Sequence, residues 1–455
     1  MVERRLGDSA ATGLFAHIWA WVKESWSVRP IYRLWIILGA VAVAAFCYLS
    51  LASLVRVNLG SDNDLSIFYR AANDFYAGRR VYEPGQWGYL YPPAFVVLLG
   101  LIAWLPPSAF YVAFGLVNLG LTLLCLSLVY RLLRNADPAL VGSRLFVVIG
   151  LPLLCTAHYW FCNLFIYGQA NILLMALVLG GLVMAEKQRD WSAGILLGMA
   201  VAVKLAPALF VLYFLLHKRA RIAVGAVIVF LVFNGLLPVL IRGWDGTLAL
   251  YNEYYVNFLQ PTMFGSQGVH YLVYHDKNVS LSGALARYLV APEGAGAPGV
   301  NLLNVPPAVF SWIDKALRLA LLVPLMVAFR REPREPRRRL NEYIVILLAV
   351  FLLNAVTWPT YLIFLILPLA LVTADNVRRE RWSFAGIVLL AWPLVEAAAF
   401  FANRLGVYKP AYLLFVVSSI TVYLIGMSVY FLRRRFTDAR GAAETASSAP
   451  SGTGR

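Results

Sequence analysis

The sequence predicts an all-α polytopic membrane protein, and three observations predict it. Of the 455 residues, 61% are hydrophobic and 14% charged, whereas soluble domains carry about 25% charged residues; mean hydropathy is +0.71. Apolar runs near the roughly 20 residues needed to cross a hydrocarbon core recur along nearly the whole chain. The net charge of +16, which in a soluble protein would point to nucleic acid, sits in short basic clusters between those runs, as in cytoplasmic loops obeying the positive-inside rule. A water-soluble fold is excluded.

Taken in order, residues 1–33 precede the first apolar run. Phe15, Ile18, Trp19, Val22 and Trp26 recur at helical spacing beside Arg4, Arg5, Lys23 and Arg29. This predicts an amphipathic cytoplasmic helix lying on the inner membrane surface, and not a cleaved signal peptide. The membrane domain spans 34–437. Its first crossing, Leu34 to Val55, leads into an outer stretch over 56–91. Pro92 to Leu105, bracketed by the pairs Pro92/Pro93 and Pro106/Pro107, is too short to cross and is read as a re-entrant outer helix. Ser108 to Leu133 then runs inward to Arg131, Arg134 and Arg144, and Leu145 to Phe161 returns. Ala170 to Ala185 runs inward to Lys187 and Arg189. Trp191 to His217, with Lys204 and Pro207 at its middle and basic clusters at both ends, is a hairpin of two short helices.

Ile222 to Ile241 runs outward into the largest outer segment, 242–305, and Pro306 to Phe329 returns to the basic loop Arg330 to Arg339. Tyr343 to Val356 and Tyr361 to Val372 form a hairpin about Thr357 to Thr360. Phe384 to Phe401 and Ala411 to Leu432 are the last pair, ending at Arg433, Arg434 and Arg435. About twelve spans result, with both termini cytoplasmic. The tail 438–455 is rich in Ser, Ala, Gly and Thr and is expected to be disordered.

Few residues in so apolar a chain can carry chemistry. Asp64 opens a predicted juxtamembrane helix with Ile67, Ala71, Ala72 and Phe75 on one face. Its carboxylate is either a helix cap or a general base at the interface. Lys204, a cation within an apolar hairpin, either snorkels to an interface or meets an anion such as a lipid phosphate. Tyr167-Gly-Gln-Ala-Asn171 sets Gln169 and Asn171 at an outer helix end, where amides bind sugar hydroxyls or cap backbone. Asp314 and Arg318 stand i, i+4 in one span and are expected to pair, with Lys315 beside them. Cys47, Cys125, Cys155 and Cys162 form no CxxC pair and read as core residues. The five histidines offer no metal-ligand spacing. No GxGxxG or Walker sequence is present, so a cytosolic nucleotide donor has no visible site.

The order and spacing of four blocks resemble glycosyltransferase family 87, the polyprenyl-phosphate-sugar-dependent group of C-type membrane glycosyltransferases typified by an α-mannosyltransferase. The blocks are Asp64-Leu-Ser-Ile-Phe-Tyr-Arg-Ala-Ala with Ala77-Gly78; Tyr89-Leu-Tyr-Pro-Pro93 with Leu105-Pro106; Gly168-Gln-Ala-Asn171; and Ala193-Gly194-Ile-Leu-Leu-Gly198 with Val203-Lys204-Leu-Ala-Pro207. Asn278-Val-Ser280 with Arg287 resembles a further block. Where the family often carries Trp-x-His-His, this chain has Trp358-Pro-Thr-Tyr361. Either Thr360 and Tyr361 serve instead, or the substrate differs.

The resemblance implies a C-type fold with outer juxtamembrane helices, and transfer of a hexose, mannosyltransferase-like, from a polyprenyl-phosphate donor to a lipid or glycan acceptor. By that resemblance transfer would be at the outer face of a bacterial inner membrane, with inversion, in envelope biosynthesis. Asp64 would be the base, and Lys204, Arg70 and Arg287 would bind donor phosphate. Tyr69, Tyr91, Gln169, Asn171, Asn278, Ser280 and Trp358 would contact substrate. The donor is a substrate, and no cofactor or metal is called for. The alternatives are a transporter or lipid or glycan flippase, which should show two related halves that this chain lacks, and a non-catalytic scaffold.

Overall fold

The computed structural model describes residues 64–82, 88–138, 145–264, 273, 275, 277–290, 302–331, 333–379, 383–404 and 419–434. The expected first span, the amphipathic N-terminal segment and the tail lie outside the described residues. Those described form helices and no strand. In chain order these are α1 (Asp64–Tyr76), α2 (Pro93–Ala103), α3 (Pro107–Ala136), α4 (Leu145–Phe161), α5 (Asn171–Glu186), α6 (Asp190–Val203), α7 (Ala208–Leu216), α8 (Ala220–Leu231), α9 (Leu237–Tyr254), α10 (Leu281–Leu289), α11 (Pro307–Ala328), α12 (Pro336–Leu353), α13 (Ile366–Arg379), α14 (Phe384–Arg404) and α15 (419–434). Among the described residues, four helical stretches are long and apolar enough to cross a membrane: Pro107–Ala136, Val147–Leu164, Ala220–Gln260 and Pro359–Arg378.

The prolines punctuate as expected. Pro93 and Pro107 stand at the first positions of α2 and α3, where the missing N–H has no intrahelical partner to lose. The eleven-residue α2 is too short to span, and α1 packs against it. The hairpin about Lys204 is two helices: Lys204 ends α6 in an extended conformation and Pro207 caps α7. Gly194 and Gly198 let α6 lie directly on α8, because a Cβ on either would meet the backbone oxygen of Ile222 or Ala226 at 2.6 Å. This is the small-xxx-small contact of membrane helices.

Two stretches depart from the expected boundaries: α12 starts at Pro336, inside the expected basic loop, and the longer departure follows α8. The helix leaving Ala220 does not stop at Ile241 but continues to Tyr254 and on through a π-helical stretch, with a break at Gly243, where φ is 73°. Beyond Gly243 it buries Thr247, Leu250 and Tyr254, and Leu250 and Tyr254 join the aromatic cluster around Phe68, Tyr82 and Tyr89. That i, i+3, i+7 spacing keeps the chain helical beyond the apolar run. On the basic side of the bundle, carboxylates tie the arginines. Arg339 pairs with Glu186 at 2.8 Å, Arg219 with Asp190 at 2.5 Å, and both Arg337 and Arg434 with Asp375.

Candidate active site

The site forms where α1, the turn before α5, the α6–α7 break and the segment before α13 converge. Burying Leu65, Phe68, Ala71, Ala72 and Phe75 fixes α1, and Phe68 meets Tyr91 edge to face at 5.3 Å and Phe95 at 5.0 Å. The half-buried Asp64 then accepts a hydrogen bond from Gln169 Nε2 at 2.8 Å. Gly168 permits this approach. Its φ is 64°, and a Cβ there would press on the Leu65 side chain at 3.1 Å. The preceding turn, Cys162–Ile166, is π-helical, a distortion frequent at functional sites.

From Asp64 a chain of amides leads inward. Gln169 Oε1 accepts from Thr360 Oγ1 at 2.7 Å and from Asn171 Nδ2 at 2.5 Å. Asn171 Nδ2 also lies 2.9 Å from Asn163 Oδ1 and 3.2 Å from Thr360 Oγ1. The buried Asn163 donates to the backbone carbonyls of Tyr159 at 2.8 Å and Thr360 at 2.7 Å. Carbonyls only accept, so the Asn163 amide nitrogen must face them. Its oxygen must then accept from Asn171, which turns the Asn171 oxygen toward Lys204, whose Nζ is 3.4 Å away. The polarity of all three amides is thereby set from the backbone.

Lys204 Nζ reaches Tyr91 OH at 3.5 Å and lies over the rings of Tyr91 at 4.5 Å and Tyr361 at 4.1 Å, a geometry that stabilises a cation away from water. Loss of hydration pushes the Asp64 carboxyl above its ordinary 3.8, while the Gln169 hydrogen bond and the Lys204 charge work against that rise. The arrangement joins a proton acceptor, an ammonium and oriented amides. Among the described residues no group of three or more His, Cys, Asp or Glu could hold a metal ion.

Asp64, Tyr91, Gln169, Asn171 and Lys204 are thus brought together. Other expected residues lie elsewhere. Tyr69 donates to the Leu105 carbonyl at 3.3 Å and packs on Phe110, and Arg70 is exposed. Asn278 donates to the Val273 and Ala355 carbonyls and accepts from the Ser280 and Thr357 amides, which engages both amide hydrogens and both lone pairs. Ser280 caps α10 through Gly283 N and donates to the Ala355 carbonyl. Arg287 is buried and donates to the Asn278 carbonyl at 2.8 Å. Asn278 and Ser280 clamp the Ala355–Thr357 segment that delivers Thr360, and Arg287 braces Asn278 through its carbonyl. Trp358 is half-buried against the His275 ring at 4.9 Å. Asp314 and Arg318 form the expected pair, with Ser282 donating to Asp314 at 2.7 Å. Asn163 is the residue that sequence reasoning missed. Its partners are the Thr360 carbonyl, 197 positions away, and Asn171, and no spacing rule points to either.

A multi-pass helical membrane protein with a carboxylate, amides and a lysine gathered at one end of its helices defines the class. The chain belongs to glycosyltransferase family 87, whose model matches residues 89–355, and it is accordingly a membrane glycosyltransferase. That match excludes Asp64 and Thr360 at either end. A polyprenol-phosphate-mannose-dependent alpha-(1-2)-phosphatidylinositol mannoside mannosyltransferase of Mycobacterium tuberculosis is 28% identical over 360 residues, covering 73% of this chain and 76% of the relative. A pentamannoside mannosyltransferase of the same species is 28% identical, over 62% of this chain and 58% of the relative. A phosphatidylinositol mannoside mannosyltransferase of Mycolicibacterium smegmatis is 28% identical, over 50% and 48%. No solved structure matches the chain.

Proposed function

We propose that the protein transfers mannose from a polyprenyl-phosphate donor to a hydroxyl of a lipid-linked mannoside, on the outer face of a bacterial inner membrane, within a C-type fold of about twelve spans with both termini inside. The observation that carries this reading is the Asp64–Gln169 hydrogen bond, which continues through Asn171 to Lys204. The relatives' donor and acceptor supply the substrate class.

In the step, Asp64 takes the proton of the attacking hydroxyl as its oxygen bonds the anomeric carbon from the face opposite the phosphate. The bond from that carbon to the phosphate oxygen breaks, and its electron pair leaves with the polyprenyl phosphate. Lys204 neutralises the charge that grows on the leaving phosphate, and the same α1 and α2 frame holds Tyr91 beside it. Gln169 and Asn171 orient sugar hydroxyls, and the half-buried Trp358 offers a ring to the acceptor. Asn278 and Ser280 hold the segment bearing Thr360, with Arg287 bracing Asn278.

The test is donor choice. Purified protein in lipid nanodiscs should transfer radiolabelled mannose from polyprenyl-phosphate mannose to a phosphatidylinositol mannoside and not from GDP-mannose. Transfer from the nucleotide sugar alone would overturn the reading. Energy-independent movement of the donor between leaflets, with no transfer, would favour the flippase alternative.

A further inference from the structure

We propose that Thr360 is a positioning residue for Asp64, acting through the Gln169 side chain. The proposal rests on Asp64 being the base and adds how that base is held.

A glutamine amide can present either end to a carboxylate, and only its nitrogen end can donate. Here the choice is made at the other end of the side chain. Gln169 Oε1 lies 2.7 Å from Thr360 Oγ1 and 2.5 Å from Asn171 Nδ2. The two Asn171 Nδ2 hydrogens go to its nearer acceptors, Asn163 Oδ1 at 2.9 Å and Gln169 Oε1 at 2.5 Å, which leaves none for Thr360 Oγ1 at 3.2 Å. The Thr360 hydroxyl can donate or accept, and against the Gln169 oxygen, which can only accept, it donates. With Oε1 pinned by donors, Nε2 points at Asp64 Oδ2, 2.8 Å away. Turned over, the amide would set an oxygen against the carboxylate and lose its donors together.

Thr360 is itself well placed to act this way. It is buried in the 3-10 helix Pro359–Leu365, its carbonyl takes the Asn163 amide, and the clamp of Asn278 on Thr357 and Ala355 fixes the chain just before it. The charged and titratable groups that influence Asp64 are Lys204 from the α6–α7 break, Tyr91 from the segment before α2, and Tyr361 from the 3-10 helix. None of them fixes the direction of the Gln169 amide, which leaves that task to the neutral donors Thr360 and Asn171.

The consequence is a pH effect. A hydrogen bond donated to a carboxylate favours its ionised form, so loosening that donor raises the pH at which the base becomes competent. Thr360→Val removes the hydroxyl at nearly constant volume. The acid limb of kcat/KM should move to higher pH by about one unit, the shift that a single charge-assisted hydrogen bond supports, and Thr360→Ser should restore the wild-type limb. In a Gln169→Ala background the Val substitution should produce no further shift, since the effect passes through that amide. Should the Val variant not accumulate in folded form, Thr360→Ala is read in the same two backgrounds.

An unmoved acid limb in Thr360→Val, whatever its plateau rate, overturns the proposal and leaves Thr360 a packing residue, as does a further shift in the Gln169→Ala background. Asp64→Asn is run beside them. If that variant is inactive while Thr360→Val keeps the wild-type limb, the positioning role alone fails. If it is active, the base assignment fails first.

Discussion

Asn163 donates a 2.7 Å hydrogen bond to the backbone carbonyl of Thr360, so a π-helical turn and a 3-10 segment 197 residues apart share one buried contact. The second hydrogen of the same amide goes to the Tyr159 carbonyl at 2.8 Å. Neither carbonyl can reverse its polarity, and that is what orients the amides leading to Asp64.

Asn163→Asp should therefore be severe for its size. A carboxyl would have to bring an oxygen against two carbonyls, leaving buried acceptors without donors, at about 1–3 kcal/mol or more. A lowered melting temperature in detergent, together with lost transfer activity, is the expected outcome. An Asn163→Asp variant that melts and turns over like the wild type would show that backbone polarity does not set the site.

How much of this was legible in the sequence depends on the range of each interaction. Helices set by apolar runs and prolines were readable, because hydropathy and the missing proline N–H act within a few residues. Leu145–Phe161, the α6–α7 break and the short α2 fall where expected. Asp64, Gln169, Asn171 and Lys204 stood out because polar groups in an apolar chain need partners, yet nothing local said that they are one another's. The continuation of the helix past Ile241 was missed for a related reason. Beyond Gly243 it is held by the side chains of Leu250 and Tyr254 packing on the α1 cluster, a tertiary contact that hydropathy does not register. Asn278 and Ser280 were visible as a motif, but their saturation by Ala355 and Thr357 appears only once the chain is folded.

Lys204→Met tests the phosphate role. The substitution keeps an unbranched stem and removes a cation whose insertion costs at least about 2.5 kcal/mol, so the protein should accumulate normally. Lost charge-assisted hydrogen bonding should raise KM for polyprenyl-phosphate mannose by about 10- to 100-fold. An unchanged KM would return Lys204 to a structural role over the Tyr91 and Tyr361 rings.

Orientation is checked by thiol labelling. With the native cysteines replaced by serine, Arg79→Cys, at the exposed end of α1, should react with an impermeant maleimide added outside intact cells. Arg334→Cys, in the basic loop before α12, should react only after permeabilisation. Both sites are exposed in the fold. The reverse pattern would place Asp64 on the cytoplasmic side and remove the outer-face chemistry with it.

Asp64→Asn separates base from cap. Burial raises the folded carboxyl above the 3.8 of an unperturbed group, so the fold favours the neutral form. The ionised carboxylate therefore opposes folding at neutral pH, and that penalty disappears as pH falls below the unfolded value. Asparagine is neutral throughout and keeps an oxygen to accept from Gln169, so at pH 7 the variant should be as stable as the wild type or more so, and the gap should close near pH 3. Activity runs the other way. The base works only when ionised, so wild-type kcat/KM should fall as pH drops through a value above the unperturbed 3.8. Removing it should lower transfer by about 10² to 10⁴. Asp74→Asn, at the far end of α1 and paired with Arg79 at 2.7 Å, is the control and should stay active. Thermal melts across pH and transfer from polyprenyl-phosphate mannose give both readouts on one preparation. A stable, fully active Asp64→Asn enzyme would leave this carboxylate as no more than the start of a helix.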